Sequence, residues 1–268
     1  MQSSLYRGVD DIRFGGGLRC QTTALRHALR HFDDADLEKF GKRARRIRIG
    51  KGLTYAFEHT FGIGLEGELR GLIPTSRWKR QATGVPWHKG ETISISIGQG
   101  FDLVTPLQMA MGYAAIANNG QLWQPYVVKR IEGGAANEID EIKPKLKRRI
   151  PIEQRWFDLV KKGLSEVVEN PRGTAHLIRD PVIQISGKTG TAQVVQVAQG
   201  VNRKLLAKLM KAQERDHAWF VGYAPSSDPR ICVAAIIEHG GHGASAAAPL
   251  VQKVILAYLK NREKPDSS

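Results

Sequence analysis

Ile185-Ser186-Gly187-Lys188-Thr189-Gly190-Thr191-Ala192-Gln193 is the stretch on which the fold turns. On a strand, Lys188 offers a cation, Thr189 and Thr191 offer hydroxyls, and Gly190 leaves the backbone bare between them. An extended peptide ending in a carboxylate suits that arrangement, because it can add to an open sheet edge while its anion meets the ammonium. Three residues alone decide little, since Lys-Thr-Gly also falls in surface turns by chance. The surroundings carry the reading.

Downstream, Asp216-His217-Ala218-Trp219-Phe220-Val221-Gly222-Tyr223-Ala224 and Arg230-Ile231-Cys232-Val233-Ala234-Ala235-Ile236-Ile237-Glu238 flank a turn at Pro225-Ser226-Ser227-Asp228-Pro229. Short β-rich runs parted by Pro, Ser and Asp predict an antiparallel meander. A helical stripe follows over 246–259, with Leu250, Val254 and Tyr258 at four-residue steps and Val251 and Ile255 beside them. Upstream, a helix is predicted from about Pro106, with Gln108, Met109, Gly112, Tyr113 and Ile116 setting its period and Asn119-Gly120 ending it. Another is predicted over 154–169, its apolar face made of Trp156, Val160, Leu164, Val167 and Val168, stopped by Asn170-Pro171. Residues 122–131 and 138–142 are predicted as hairpin strands, 143–149 as a solvated basic loop, and 205–213 as a solvated excursion. Helices are also expected near 22–31 and 53–60. The class is α/β in the α+β sense, an antiparallel sheet flanked by helices with a further helical region.

Four segments occur in an order that resembles the transpeptidase domain of class B penicillin-binding proteins, most closely the branch serving cell elongation. They are Leu65-Glu66-Gly67-Glu68-Leu69-Arg70-Gly71-Leu72-Ile73-Pro74 with Trp78-Lys79; Ile95-Ser96-Ile97-Gly98-Gln99-Gly100 with Thr105-Pro106-Leu107-Gln108-Met109; Asn170-Pro171-Arg172-Gly173-Thr174-Ala175; and the strand from Lys188 to Gln193. Lys-Thr-Gly with S-x-x-K and S-D-N is the signature of serine β-lactamases and penicillin-binding proteins. The resemblance implies acyl transfer: a serine opens the D-alanyl-D-alanine end of a peptidoglycan stem peptide, holds it as an ester and passes it to a neighbouring amine. It implies Lys188, Thr189, Gly190 and Thr191 as substrate-binding residues, and stem peptide and β-lactams as ligands. It implies no cofactor.

The other two motifs are not intact. The one literal S-x-x-K, Ser76-Arg77-Trp78-Lys79, stands after the position where the second motif belongs, although the family places its nucleophile well before it. Ser76 is therefore expected to be a solvated loop serine, and no catalytic residue is assigned. For the second motif, the run from Leu25 to Leu37 fits the family's helix and puts Phe32 where serine belongs, with Asp34 as the third member. Phenylalanine neither donates nor accepts a proton. Nothing aligns before residue 25.

With 268 residues and 41% hydrophobic content, the chain is long enough for one substantial core. The expected organisation is a degraded entry over 1–60, the transpeptidase domain over 61–262 and a tail over 263–268. Forty Lys and Arg against 26 Asp and Glu give a formal charge of +14, enough to attract anionic surfaces without specificity. The cations lie over 42–51, 143–149 and 203–215 rather than among aromatics that could stack on bases, so specific nucleic-acid binding is not expected. Two cysteines, Cys20 and Cys232, make no disulfide framework, and Cys232 is predicted to be a buried free thiol in a core strand. His27 and His31 share a helical face near Cys20, but no acidic residue completes a ligand set and no metal is assigned. No run is apolar enough to span a bilayer and no signal segment is evident. The resemblance implies work at the periplasmic face of the inner membrane, anchored by a helix that precedes this sequence, with the nucleophilic serine also upstream. Two functions follow: a D,D-transpeptidase-family domain without its serine in this chain, or a non-catalytic remnant that binds peptide or a partner without reacting.

Overall fold

The computed structural model describes residues 13–15, 56–63, 65–96, 100–131, 140–193 and 215–262. In chain order the elements are β1 (Arg13–Gly15), α1 (Ser76–Thr83), α2 (Lys89–Ser96), α3 (Pro106–Ala117), β2 (Gln121–Trp123), β3 (Arg130–Ile131), β4 (Asp140–Glu141), β5 (Leu146–Arg149), α4 (Gln154–Glu169), a 3₁₀ turn (His176–Ile178), β6 (Ser186–Gln193), β7 (His217–Ala224), β8 (Ile231–Ile237) and α5 (Ala247–Arg262). The strand, strand, strand, helix order predicted for the C-terminal part is the observed one.

Strands β1, β6, β7 and β8 form one antiparallel sheet in that order. Every residue of β7 is buried, as a central strand covered on both faces must be. Side chains alternate between faces with period two, so the sequence of β7 builds two cores at once. Ala218, Phe220 and Ala224 join Ile185, Ala247, Ala248, Val251, Ile255 and Leu259 on the α5 side, with Ile231, Val233, Ala235 and Ile237 of β8 packed against them. Tyr223 points the other way, into a cluster with Ala117 of α3 and Leu164 of α4, against which Tyr113, Ile116 and Cys232 pack. Cys232 is a free thiol whose Sγ lies 3.3 Å from the Ala110 carbonyl, and burial pushes its pKa up to about 12. It is held as a packing group.

Sequence periodicity located the helices but misplaced parts of two faces. In α4 the buried residues are Phe157, Gly163, Leu164, Val167 and Val168, while Val160 is exposed. In α5, Leu250 and Val254 are exposed and Val251, Ile255 and Leu259 are buried. Both helices therefore present a neighbouring stripe to the sheet, because several apolar stripes compete in sequence and tertiary contact selects one. Helix α3 begins and ends as expected. Thr105 Oγ1 accepts from the Gln108 amide at 3.2 Å, Gln108 Oε1 accepts from the Thr105 amide at 2.8 Å, and Pro106 occupies the first turn, a complete capping box. Asn119 and Gly120, both at positive φ, turn the chain away. A side chain at 120 would also strike the Phe157 ring.

Residues 122–131 are not one strand. Gln121–Trp123 pairs with Leu146–Arg149, and Arg130–Ile131 pairs with Asp140–Glu141. The solvated basic loop expected over 143–149 is thus half strand. One of its cations is held in place: Lys147 Nζ donates to the Phe61 carbonyl at 3.0 Å and lies 5.4 Å from the centre of the Phe61 ring. The basic run Lys147-Arg148-Arg149 after Leu146 hid this strand, since long basic stems can cover apolar surface while their heads find polar partners. The segments expected as helix near 22–31, as a solvated excursion over 205–213, and as the second motif at Phe32 and Asp34 lie outside the described residues, as do Cys20, His27 and His31. Residues 56–58 are helical, within the helix expected near 53–60. Strand β1 was not anticipated, because nothing before residue 25 aligned with a known pattern.

Candidate functional site

Strand β6 runs antiparallel to β7 with Lys188 opposite Val221, Thr189 opposite Phe220, Gly190 opposite Trp219 and Thr191 opposite Ala218. On its other edge β1 covers only Thr191, Ala192 and Gln193. Among the described residues no strand pairs with the outer edge of β6 from Ser186 to Gly190, so those peptide groups are placed to receive an added strand. Lys188 is 7% exposed. Its ammonium donates to the Thr189 carbonyl at 2.6 Å and to Thr189 Oγ1 at 3.3 Å, which fixes a cation on a rigid strand.

One residue joins the site that the sequence did not assign a role. Thr174 Oγ1 lies 3.1 Å from Thr189 Oγ1. The turn that delivers it is specified locally. Asn170 Oδ1 accepts from the Arg172 amide at 2.9 Å, the Gly173 amide donates to the Asn170 carbonyl at 2.7 Å, and the Ala175 amide donates to the Val167 carbonyl at 3.0 Å. Any side chain at Gly173 would come within 2.3 Å of the Val167 carbonyl, so glycine is required for the close return. The Asn-Pro-Arg-Gly-Thr run was the available signal, but only the fold shows which strand it meets.

Lys188, Thr189, Gly190 and Thr191 lie consecutively on β6, as predicted. Ser76 does not join them: no hydrogen bond among the described residues links it to β6. It is also not a loop serine. Thr75 Oγ1 accepts from the Trp78 amide at 3.1 Å, which starts α1 at Ser76 and leaves Ser76 exposed in its first turn. Lys79, the base that an S-x-x-K would need, is 4% exposed and committed elsewhere. Its Nζ lies 2.5 Å from Glu91 Oε1 and donates to the Pro86 carbonyl at 2.9 Å. With its Nζ engaged by the Glu91 carboxylate and the Pro86 carbonyl, and no hydrogen bond to Ser76 among the described residues, Lys79 is not placed as a base for that serine.

At the far end of the sheet, His217 stands opposite Ala192 and its Nδ1 accepts from the His239 amide at 2.9 Å. Burial, and then the neighbouring His239 ring 4.7 Å away, hold the His217 pKa below 6.5, against a smaller opposing influence of Glu238 and Asp216. A histidine whose folded pKa is depressed contributes stability that is complete above pH 6.5 and is lost as pH falls through the folded value. Urea unfolding is therefore expected to show lower stability at pH 5 than at pH 7.5. His217→Gln should reduce that difference; an unchanged difference would assign the pH dependence to other groups. Among the described residues, no group of His, Cys, Asp and Glu could hold a metal ion.

An antiparallel sheet between helices, carrying Lys-Thr-Gly on a partly open strand, matches the layout and one of the three motifs of the class of serine transpeptidases and β-lactamases. The profile of the penicillin binding protein transpeptidase domain matches residues 38–256. Peptidoglycan D,D-transpeptidase MrdA of Haemophilus influenzae is 37% identical over 211 residues, spanning 78% of this chain and 32% of that protein. Its namesake in Acinetobacter baumannii is 37% identical over 218 residues, spanning 78% and 30%. Among solved structures, Pseudomonas aeruginosa PBP2 in complex with WCK 5153 superposes with a TM-score of 0.61 at 33% identity, over 77% of this chain and 41% of that one. Helicobacter pylori PBP2 in its complex with MreC gives 0.61 at 25% identity, over 96% and 40%. The chain belongs to the penicillin-binding protein transpeptidase family, as a domain of the class B PBP2/MrdA type. It spans about a third of the length of the curated relatives it matches.

Proposed function

We propose that β6 forms the carboxylate-binding wall of a peptidoglycan D,D-transpeptidase site, and that Ser76 is not the acylated nucleophile. The observation that carries this is the buried Lys188 ammonium, fixed on Thr189 beside the Thr174 hydroxyl. A stem peptide ending in D-alanyl-D-alanine would lie along the open edge of β6. Its carboxylate would meet the hydroxyls of Thr189 and Thr191 in the field of Lys188, and Gly190 would admit its backbone. β-Lactams, which carry a carboxylate beside their reactive carbonyl, would occupy the same wall. Acyl transfer also requires a serine and a base beside that carbonyl, and Ser76 with its ion-paired Lys79 supplies neither. Binding without acylation at Ser76 is therefore the expected behaviour of this chain. The natural setting is the periplasmic face of the inner membrane, where stem peptides are cross-linked. Among the described residues, no helix is long and apolar enough to cross a membrane.

Lys188→Ala is expected to weaken reversible binding of a peptide ending in D-alanyl-D-alanine by about tenfold or more, the worth of one charge-assisted hydrogen bond. Calorimetric titration of both forms, with circular dichroism to confirm the fold, measures this. Equal affinities would remove Lys188 from the site.

A further inference from the structure

Strand β8 bounds the sheet on the side away from β6. The order β1-β6-β7-β8 gives it one neighbour, β7, and among the described residues no strand pairs with its outer edge. Its residues, Ile231-Cys232-Val233-Ala234-Ala235-Ile236-Ile237, are all half-buried, and they include no proline and no charge. Their register with β7 is continuous from Ile231 to Ile237, so no bulge turns the edge aside. Sheet edges are normally blunted by such devices, because a row of unpaired N–H and C=O groups is a template for another strand. Charges stand only at the two ends: Arg230 precedes the strand and Glu238 follows it. Both are exposed, and neither forms an ion pair among the described residues.

Helix α5 packs on both β7 and β8, and its two flanks differ. The Gln252 side-chain amide donates to the Ile178 carbonyl at 2.8 Å. Ile178 ends the turn that follows Thr174, and Thr174 meets Thr189 of β6, so this flank of α5 faces β6. Leu250 and Val254 each lie two residues from Gln252, about 160° away round a helix of 3.6 residues per turn. They therefore point to the β8 side, and both are 43% exposed. An open strand edge and an aliphatic stripe on the helix above it share one side of the molecule.

We infer that this side is a homodimer interface, in which β8 pairs antiparallel with β8 of a second copy about a two-fold axis at Ala234. The order of residues argues for a copy of this chain as the occupant. An isologous contact sets a surface against itself, and pairing centred on Ala234 sets Ile231 opposite Ile237, Cys232 opposite Ile236 and Val233 opposite Ala235. It also sets Arg230 of each copy opposite Glu238 of the other, and opposite charges at facing positions favour pairing where like charges oppose it. The faces agree as well. Ile231, Val233, Ala235 and Ile237 pack on the α5 side and Cys232 on the α3 side, and each meets a residue of its own side. With strands about 4.8 Å apart and α5 lying over β7 and β8 together, the two α5 axes come to about 10 Å, the spacing of packed helices. Leu250 and Val254 then face their own copies. The contact closes at two chains and leaves the open stretch of β6 on the far side of each.

The test is sedimentation velocity of the 268-residue chain over a wide range of concentration, with circular dichroism to confirm that each variant is folded. A monomer–dimer equilibrium without larger species is expected. Glu238→Arg sets like charges at both ends of the pairing and should raise the dimer Kd by about tenfold or more, as should Arg230→Glu. The exchange Arg230→Glu/Glu238→Arg restores both complementary pairs and should bring the Kd back to within about threefold of the wild type. A loss through folding or net charge alone would not be rescued in that way. Leu250→Gln/Val254→Gln should weaken the dimer by about tenfold. Four results would overturn the inference: a monomer at every concentration, single charge variants that dimerise like the wild type, a folded exchange variant that does not recover, or growth into open polymers. A dimer that a D-alanyl-D-alanine peptide dissolves would overturn it too, by placing the contact on β6.

Discussion

Gly243→Ala is expected to destabilise the domain by about 3 kcal/mol and to spoil the β6 wall at the same time. A Cβ at 243 would stand 2.1 Å from the Trp219 carbonyl, 2.6 Å from the Gly190 carbonyl and 3.1 Å from the Gly190 amide nitrogen. These are backbone atoms of two paired strands, so no rotamer change relieves the clash. Either the 240–246 segment lifts from the sheet or β6 shifts at Gly190, the residue whose bare backbone the proposed site uses. Urea unfolding should report the stability loss, and titration with the D-alanyl-D-alanine peptide should report weaker binding. Wild-type stability would mean that the Gly243 backbone stands farther from the sheet than described.

Phe220→Ala should cost a similar or larger amount, about 3–5 kcal/mol, through lost burial and the cavity left behind. Phe220 is fully buried among Ile185, Ala218, Val251 and Ile255. Its ring occupies space that side chains at Gly187 and Gly222 would otherwise fill: their Cβ atoms would fall 2.6 and 2.9 Å from it. One aromatic residue and two glycines therefore form a single packing unit across the β6–β7 pair, beside Thr189, the cross-strand partner of Phe220. Phe220→Leu refills most of the volume and should cost only about 1 kcal/mol. Denaturant midpoints for the two variants separate these values; equal, small losses would show that the sheet closes over the vacancy.

How much of this was legible in the sequence depended on the kind of signal. Strands β6 to β8 were legible because apolar β-rich runs are bounded by Pro-Ser-Ser-Asp-Pro, and α3 because Thr105-Pro106 and Asn119-Gly120 mark its two ends chemically. The strand at Leu146–Arg149 was not, because its residues are mostly basic and its pairing with Gln121–Trp123 is a tertiary fact. Motif order separated Ser76 from β6 in the sequence, whereas its helical setting depends on the Thr75 cap, a signal that was present and not used. Thr174 stood in a quoted segment, but a hydroxyl contact between residues 15 apart in the chain leaves no mark in local sequence. The α4 and α5 faces show the limit of periodicity. Adjacent stripes with comparable apolar content are told apart only by what packs on them.

The central claim, a carboxylate-binding β6 with Ser76 uninvolved in acylation, is tested most directly by incubating the purified chain with a fluorescent penicillin. Intact-mass measurement and peptide mapping should follow, on a sample shown to be folded by its unfolding transition. The expected result is no covalent adduct at Ser76, together with reversible penicillin binding that Lys188→Ala weakens by about tenfold or more. A stable acyl group mapped to Ser76 would contradict the account, because the serine beside an ion-paired Lys79 would then be the nucleophile.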